Sequence, residues 1–147
     1  MAGLLTIKDI EKCVGCGLCM YACARRKVRK PFIGHDHSGI LAVSLSGFER
    51  GATIIVCKAC PDPPCSQVCP TSALIPRKGG GVVYREKLCT GCDNCIEACT
   101  IGAIFKRRDG KVALCIHCGY CASYCPHGVI EYISTKQKVS EKQEVIK

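Results

Sequence analysis

Tryptophan is absent from the 147-residue sequence, and large apolar side chains are scarce: three Phe, five Tyr and two Met. The 48% of residues counted as hydrophobic includes sixteen Cys, so the material for an ordinary core is thin. Something besides side-chain packing must hold this chain together. Long apolar runs are missing too. No stretch approaches the ~18 residues that a membrane helix requires, so no membrane span is expected. The opening MAGLLTIKDIEK has a short apolar run broken by Lys8, Asp9, Glu11 and Lys12, which does not make a secretory signal. Arg25-Arg26 lies inside a cysteine run and not ahead of an apolar stretch, which argues against a twin-arginine signal. The expected location is the cytoplasm, where thiols stay reduced.

Against these absences stands the cysteine content. Sixteen Cys in 147 residues exceeds the roughly 8–10% that marks a disulfide scaffold in a short secreted chain. In a reducing compartment the same abundance points to metal. The cysteines fall into four groups: Cys13, Cys16, Cys19 and Cys23; Cys57, Cys60, Cys65 and Cys69; Cys89, Cys92, Cys95 and Cys99; Cys115, Cys118, Cys121 and Cys125. Three read C-x2-C-x2-C-x3-C, and the second widens its middle gap to four residues. No Cys is left over.

The spacing has a mechanical reason. Three Cys separated by two residues let a tight loop wrap one face of an iron–sulfur cube, with amide N–H groups directed at sulfur. Such loops need small residues where the backbone crowds the cube or takes a positive φ; Gly15, Gly17, Gly91 and Gly119 stand at these places. The x3 step is one helical turn, which carries the fourth Cys toward a neighbouring cube. Hence the fourth Cys of such a run ligates the other cluster of a pair. Pro70 and Pro126 follow the fourth Cys of their groups, where Ala24 and Thr100 stand in the other two. Four [4Fe–4S] clusters are therefore the expected cofactors.

The formal charge of +9 invites a nucleic-acid reading, but it counts every Cys as neutral, whereas metal-bound Cys is thiolate. Four oxidised clusters carrying about −2 each would leave a net charge of roughly +1, and their reduction about −3. The cations then offset the clusters, and no nucleic-acid partner is expected.

A second repeat accompanies the first. ALIPRKGGGVVYREKLC after the second group and AIFKRRDGKVALC after the third each predict a strand, a Gly turn, a second strand and the next cysteine loop. The turns fall at Gly79–Gly81 and Asp109-Gly110. Further strands are expected at Leu4–Ile7, Thr53–Val56 and Val129–Ile133. This is an α+β plan of bacterial-ferredoxin-like units, used twice.

Nineteen residues separate Cys69 from Cys89, which suits a hairpin within one unit, but 33 separate Cys23 from Cys57. That favours an inner unit (51–106, groups two and three) inserted into an outer unit (1–50 with 107–135, groups one and four), followed by a charged tail (136–147). The terminal strands Leu4–Ile7 and Val129–Ile133 would lie side by side. The ligand sets become Cys13, Cys16, Cys19 and Cys125; Cys23, Cys115, Cys118 and Cys121; Cys57, Cys60, Cys65 and Cys99; Cys69, Cys89, Cys92 and Cys95. Sequential pairing, group one with two and three with four, is the competing arrangement and leaves the cluster count unchanged.

Four such groups, with C-x2-C-x4-C-x3-C-P as the second, resemble the four-cluster iron–sulfur subunits of dimethyl sulfoxide reductase and formate dehydrogenase, over residues 4 to 133. The resemblance implies nested pairing. That family usually has a long insert between the second and third Cys of its fourth group, whereas Cys118 and Cys121 are separated by two residues. In this respect and in length the chain is more similar to the small polyferredoxin subunits of tungsten-containing aldehyde oxidoreductases. The implied role is a non-catalytic subunit relaying electrons between a large tungstopterin subunit and ferredoxin or another acceptor. The alternatives are a wiring subunit of a molybdenum oxidoreductase, formate dehydrogenase or hydrogenase, and a free polyferredoxin.

A zinc-binding structural protein is the chemical rival, but structural zinc uses two CxxC knuckles separated by a longer stretch, a layout these runs do not follow. With all sixteen Cys used as ligands, no catalytic residue is assigned. His35 and His37, in IGHDHSG, suit either a small metal or docking site or a solvated loop. His117 and His127 stand within or beside cysteine loops, where a hydrogen bond near a cluster is the plain expectation. The basic run Arg25, Arg26, Lys27, Arg29 and Lys30 suits a docking patch for an acidic partner or a solvated face countering cluster charge.

Overall fold

The computed structural model describes residues 3–28, 34–44 and 51–134. Its strands are β1 (Gly3–Ile7), β2 (Ile40–Ser44), β3 (Ala52–Val56), β4 (Leu74–Pro76), β5 (Val82–Tyr84), β6 (Ile104–Lys106), β7 (Val112–Leu114) and β8 (Ile130–Ser134). Between them lie helices α1 (Leu18–Lys27), α2 (Pro64–Gln67) and α3 (Asn94–Ala98), and 3₁₀ turns at Ile10–Lys12, Glu86–Leu88 and Tyr120–Tyr124. Short strands mixed with short helices make this an α+β, ferredoxin-like molecule. The charged tail beyond Ser134, and Arg29 and Lys30 of the basic run, lie outside the described residues.

The strands form four separate two-stranded antiparallel sheets: β1 with β8, β2 with β3, β4 with β5, β6 with β7. A lone two-stranded ribbon is marginal in water, so each sheet depends on what packs against it. β1 and β8 pair with Leu5 opposite Tyr132 and Ile7 opposite Ile130, and Lys8 N–H donates to Val129 O at 2.8 Å beyond the last pair. The first and last strands thus lie side by side.

The β4–β5 and β6–β7 hairpins are copies of one another. Leu74 opposes Tyr84 in the first, as Ile104 opposes Leu114 in the second. Their turns close alike: Arg77 N–H donates to Gly81 O at 3.0 Å, and Arg107 N–H to Lys111 O at 2.9 Å. The β2–β3 hairpin was only half expected, through the Thr53–Val56 run of β3. Its partner ILAVS follows a His- and Gly-bearing loop inside the long link after Cys23, where no cysteine repeat marks it.

The apolar interior consists of two patches. One gathers Leu5, Met20, Ala22, Ile40, Val56, Val129 and Ile130 around Cys19, Cys23, Cys115 and Cys121. The other gathers Leu74, Val82, Ile104, Val112 and Leu114 around Cys65 and Cys95. The largest fully buried side chains are only Ile40, Leu114, Val82, Val112 and Val129, so the interior is as thin as the composition implies. The four- and five-residue helices α2 and α3 are too short to persist alone; each holds a buried Cys. Ten-residue α1 places Arg25, Arg26 and Lys27 at its C-terminus, where they suit the helix dipole. Lys27 Nζ donates to Leu114 O at 2.8 Å and the Arg26 guanidinium lies 5.6 Å from the Tyr120 ring centroid, so the basic run is partly internal.

Gly39 is where the β2–β3 hairpin meets the rest of the molecule. A Cβ there would fall 2.1 Å from the Leu114 carbonyl carbon and 2.3 Å from its oxygen, and backbone cannot step aside as a side chain can. Gly39→Ala is therefore expected to destabilise the iron-loaded protein by about 1–3 kcal/mol. Gly110→Asn, at a positive-φ turn open to solvent, is expected to stay within about 1 kcal/mol of the parent. Denaturant midpoints under argon check both; equal effects would remove the close-approach argument.

Candidate metal centres

Each cysteine loop uses the same backbone device. The residue two after the first Cys takes a positive φ in all four groups: Gly15 (69°), Ala59 (52°), Gly91 (74°) and His117 (54°). Gly17, Asp93 and Gly119 do the same between the second and third Cys of groups one, three and four. Glycine was expected there; Ala59, Asp93 and His117 were not anticipated, because the conformation and not the residue type is what repeats.

The device turns amide N–H groups onto sulfur. Ala59 N–H donates to Cys57 Sγ and His117 N–H to Cys115 Sγ, both at 3.4 Å. The fourth Cys receives its own donor from four residues on: Ala73 to Cys69 at 3.3 Å, Ala103 to Cys99 at 3.3 Å and Val129 to Cys125 at 3.4 Å. In group one the long link intervenes, and Gly39 N–H donates to Cys23 at 3.3 Å instead.

Four small cavities are walled by these loops. Cys13, Cys16, Cys19 and Cys125 line one of about 310 Å³, with Ala42, Ile54, His127 and Val129. Cys23, Cys115, Cys118 and Cys121 line one of about 370 Å³ beside Arg26 and Lys27. Cys57, Cys60, Cys65 and Cys99 line one of about 500 Å³, and Cys69, Cys89, Cys92 and Cys95 one of about 330 Å³. Every cavity takes three thiols from one group and one from another. The cavities approach one another, since Cys121 feels Cys19, Cys65 feels Cys95, and Cys115 feels Cys57 electrostatically.

The donor set suits iron–sulfur cubes. Burial, the largest influence, pushes the Cys19, Cys65 and Cys95 thiols up to about 11 and Cys115 to about 12. Bare thiols so placed stay protonated, and it takes bound metal to make them thiolates. Four thiolates on one zinc must stand roughly 3.8 Å apart, from tetrahedral Zn–S bonds of about 2.3 Å. Among the described residues no three His, Cys, Asp or Glu side chains converge to hold a single ion. Quartets around larger cavities, each with amides aimed at sulfur, fit a cube with thiolates at its corners.

The histidines divide. His117 is 2% exposed; its Nδ1 accepts the Leu5 N–H at 3.1 Å, and burial, then the Arg77 guanidinium, push it down to about 4. It is a neutral joint between β1 and the fourth loop. His127 lines the first cavity. His35 packs edge-on against Tyr21 at 6.2 Å, and His37 Nδ1 lies 3.7 Å from Asp36 Oδ2. No helix among the described residues is long and apolar enough to cross a membrane.

Residues 53–133 match the family model described as a 4Fe-4S dicluster domain. The chain is 33% identical over 145 residues to the NADH-dependent phenylglyoxylate dehydrogenase subunit beta of Aromatoleum evansii, covering 90% of this chain and 31% of that one. It is 32% identical over 124 residues to the putative electron transport protein YsaA of Escherichia coli K12, covering 78% and 74%. It is 30% identical over 151 residues to the probable anaerobic dimethyl sulfoxide reductase chain YnfG of the same strain, covering 84% and 70%. The chain thus spans from about a third to about three quarters of the length of such curated relatives. With the match extending over more than half of the residues, the chain belongs to the 4Fe-4S dicluster family and carries [4Fe–4S] clusters.

Proposed function

We propose that this protein is a four-cluster relay, passing single electrons between a separate catalytic oxidoreductase subunit carrying a tungsten pterin and ferredoxin or a similar acceptor, in the cytoplasm. The observation that carries the relay is the composition of the four cavities, each bounded by three cysteines of one group and one of another. The ligand sets are Cys13, Cys16, Cys19 with Cys125; Cys23 with Cys115, Cys118 and Cys121; Cys57, Cys60, Cys65 with Cys99; and Cys69 with Cys89, Cys92 and Cys95. The clusters supply reversible one-electron chemistry; the chain supplies thiolates, amide donors and fixed spacing. The nested order, residues 51–106 within 1–50 and 107–135, draws support from the β1–β8 pairing. The tungsten partner draws support from the short fourth group, in which two residues separate Cys118 from Cys121. A reductase with a molybdenum pterin is the second reading, favoured by the likeness to a dimethyl sulfoxide reductase chain.

Anaerobically purified protein is expected to contain about sixteen iron and sixteen sulfide per chain, four to a cluster. Cys23→Ser and Cys115→Ser should each remove about four iron, and the double variant no more than either alone, since both serve one cluster. Sequential pairing predicts a loss of about eight for the double variant, and iron analysis separates the two. Chelation of the iron should abolish cooperative unfolding, because ligation supplies the fold; a metal-free chain with native circular dichroism would contradict the cluster-built interior.

The catalytic partner is identified by tandem affinity purification of the native complex with elemental analysis of the pterin subunit. Stoichiometric tungsten supports the first reading and molybdenum the second; a chain that elutes alone under mild anaerobic conditions would leave only a free polyferredoxin.

A further inference from the structure

The two inner cavities are related by a 30-residue repeat, and comparing them position by position exposes an asymmetry. Cys99, Ala103, Ile104 and Leu114 line one where Cys69, Ala73, Leu74 and Tyr84 line the other. Val82 and Val112 exchange in the same way. The amides match as well, with Ala103 N–H on Cys99 and Ala73 N–H on Cys69, each at 3.3 Å. At two of the positions paired by the repeat a hydroxyl-bearing side chain replaces an aliphatic one, both times at the same cavity. Ile101 and Leu114 border the first cavity; their counterparts Thr71 and Tyr84 border the second.

Both hydroxyl-bearing residues border that quartet. Thr71 Oγ1 lies 3.8 Å from Cys69 Sγ. The Tyr84 hydroxyl is buried without a hydrogen-bond partner, and Tyr84 borders the same cavity as Cys89. Lys106 is also close, but its ammonium is occupied by Asp93 Oδ1 and Gly91 O.

We propose that Thr71 and Tyr84 are positioning residues that raise the reduction potential of the cluster held by Cys69, Cys89, Cys92 and Cys95 above that of its twin at Cys57, Cys60, Cys65 and Cys99. This rests on the relay reading above. A donor aimed at a thiolate stabilises the reduced, more negative state more than the oxidised one, and hydrogen bonding to sulfur is a recognised determinant of cluster potential. An electron shared between the twins then collects at the Tyr84 side. Cys92 is exposed, so an electron held there is within reach of an external partner. The wire acquires a downhill direction from two side chains.

The test is a redox titration of the full-length, anaerobically loaded protein, following the four cluster signals by electron paramagnetic resonance. Tyr84→Phe and Thr71→Val should lower one and the same midpoint, and the double variant should shift that cluster's reduction equilibrium about tenfold, equivalent to about 59 mV for one electron. Ile101→Thr, at a half-exposed site, should raise a different midpoint. Unchanged midpoints in variants with full iron, or shifts of two different clusters by Tyr84→Phe and Thr71→Val, would overturn the proposal. Should Tyr84→Phe fail to load, Thr71→Val and Ile101→Thr decide it by themselves. Iron-free parent protein would instead overturn the relay reading, so the two failures are distinguishable.

Discussion

A thiol enclosed by apolar walls and other thiols is a poor anion. Burial first, with the neighbouring Cys23 and Cys57 adding to it, brings Cys115 to about 12, and neighbouring Cys add to the penalty at Cys19 and Cys95. Six of the sixteen cysteines are buried, and such groups would oppose folding if they had to ionise unaided. Iron inverts the sign: a thiolate on a cation is at once satisfied and fixed in place. The strands are paired only in twos, the helices are mostly one turn, and the largest fully buried residues are Ile and Leu. None of these elements holds its shape alone, and each is attached at a cysteine. Ligation therefore stands in this chain where a packed core stands in others.

The next demand is that each thiolate be given donors, since a sulfur carrying charge in a low-dielectric site needs them. Backbone amides meet it most cheaply, but only if the chain bends with positive φ inside each loop. Gly15 and Gly91 do this without strain, while Ala59 and His117 adopt the same bend with side chains attached. At His117 the side chain is put to use, its Nδ1 accepting the Leu5 amide. The amides are common to all four sites. Hydroxyls are not, and the difference between Leu114 and Tyr84 is where two sites of one architecture become two sites of different chemistry.

Much of this was legible in the sequence. Ligation chemistry writes itself as spacing, and a x2 or x3 interval between cysteines constrains backbone geometry more tightly than any propensity does. The hairpin copies were visible because Gly79–Gly81 and Gly110 mark their turns, and the strands at both ends because Leu4–Ile7 and Val129–Ile133 are apolar and β-branched. What escaped was set by tertiary context. β2 lacks a flanking repeat to announce it, and its burial comes from packing against β3 and the first cavity. Ala59, Asp93 and His117 hide a left-handed conformation behind ordinary residue types. Arg25 to Lys27 read as a surface patch, yet Lys27 reaches back to the Leu114 carbonyl, a contact 87 residues away that no local pattern encodes.

Arg77 shows how the β4–β5 hairpin is tied to the elements around it. From the β4–β5 turn its guanidinium donates to Gly80 O at 3.0 Å, to Ile116 O at 3.3 Å and to Gly3 O at 3.2 Å. One planar fork thus joins its own turn, the fourth cysteine loop and β1, which a lysine's single point charge could not do with the same geometry. His117 closes the same seam from the other side. This is also where Cys57 and Cys115 come within each other's electrostatic reach, and Arg77 favours the charged form of Cys57. An electron moving between two sites is sensitive to their separation and to the charge between them. A residue that fixes the first while offsetting the second makes this seam a fixed junction.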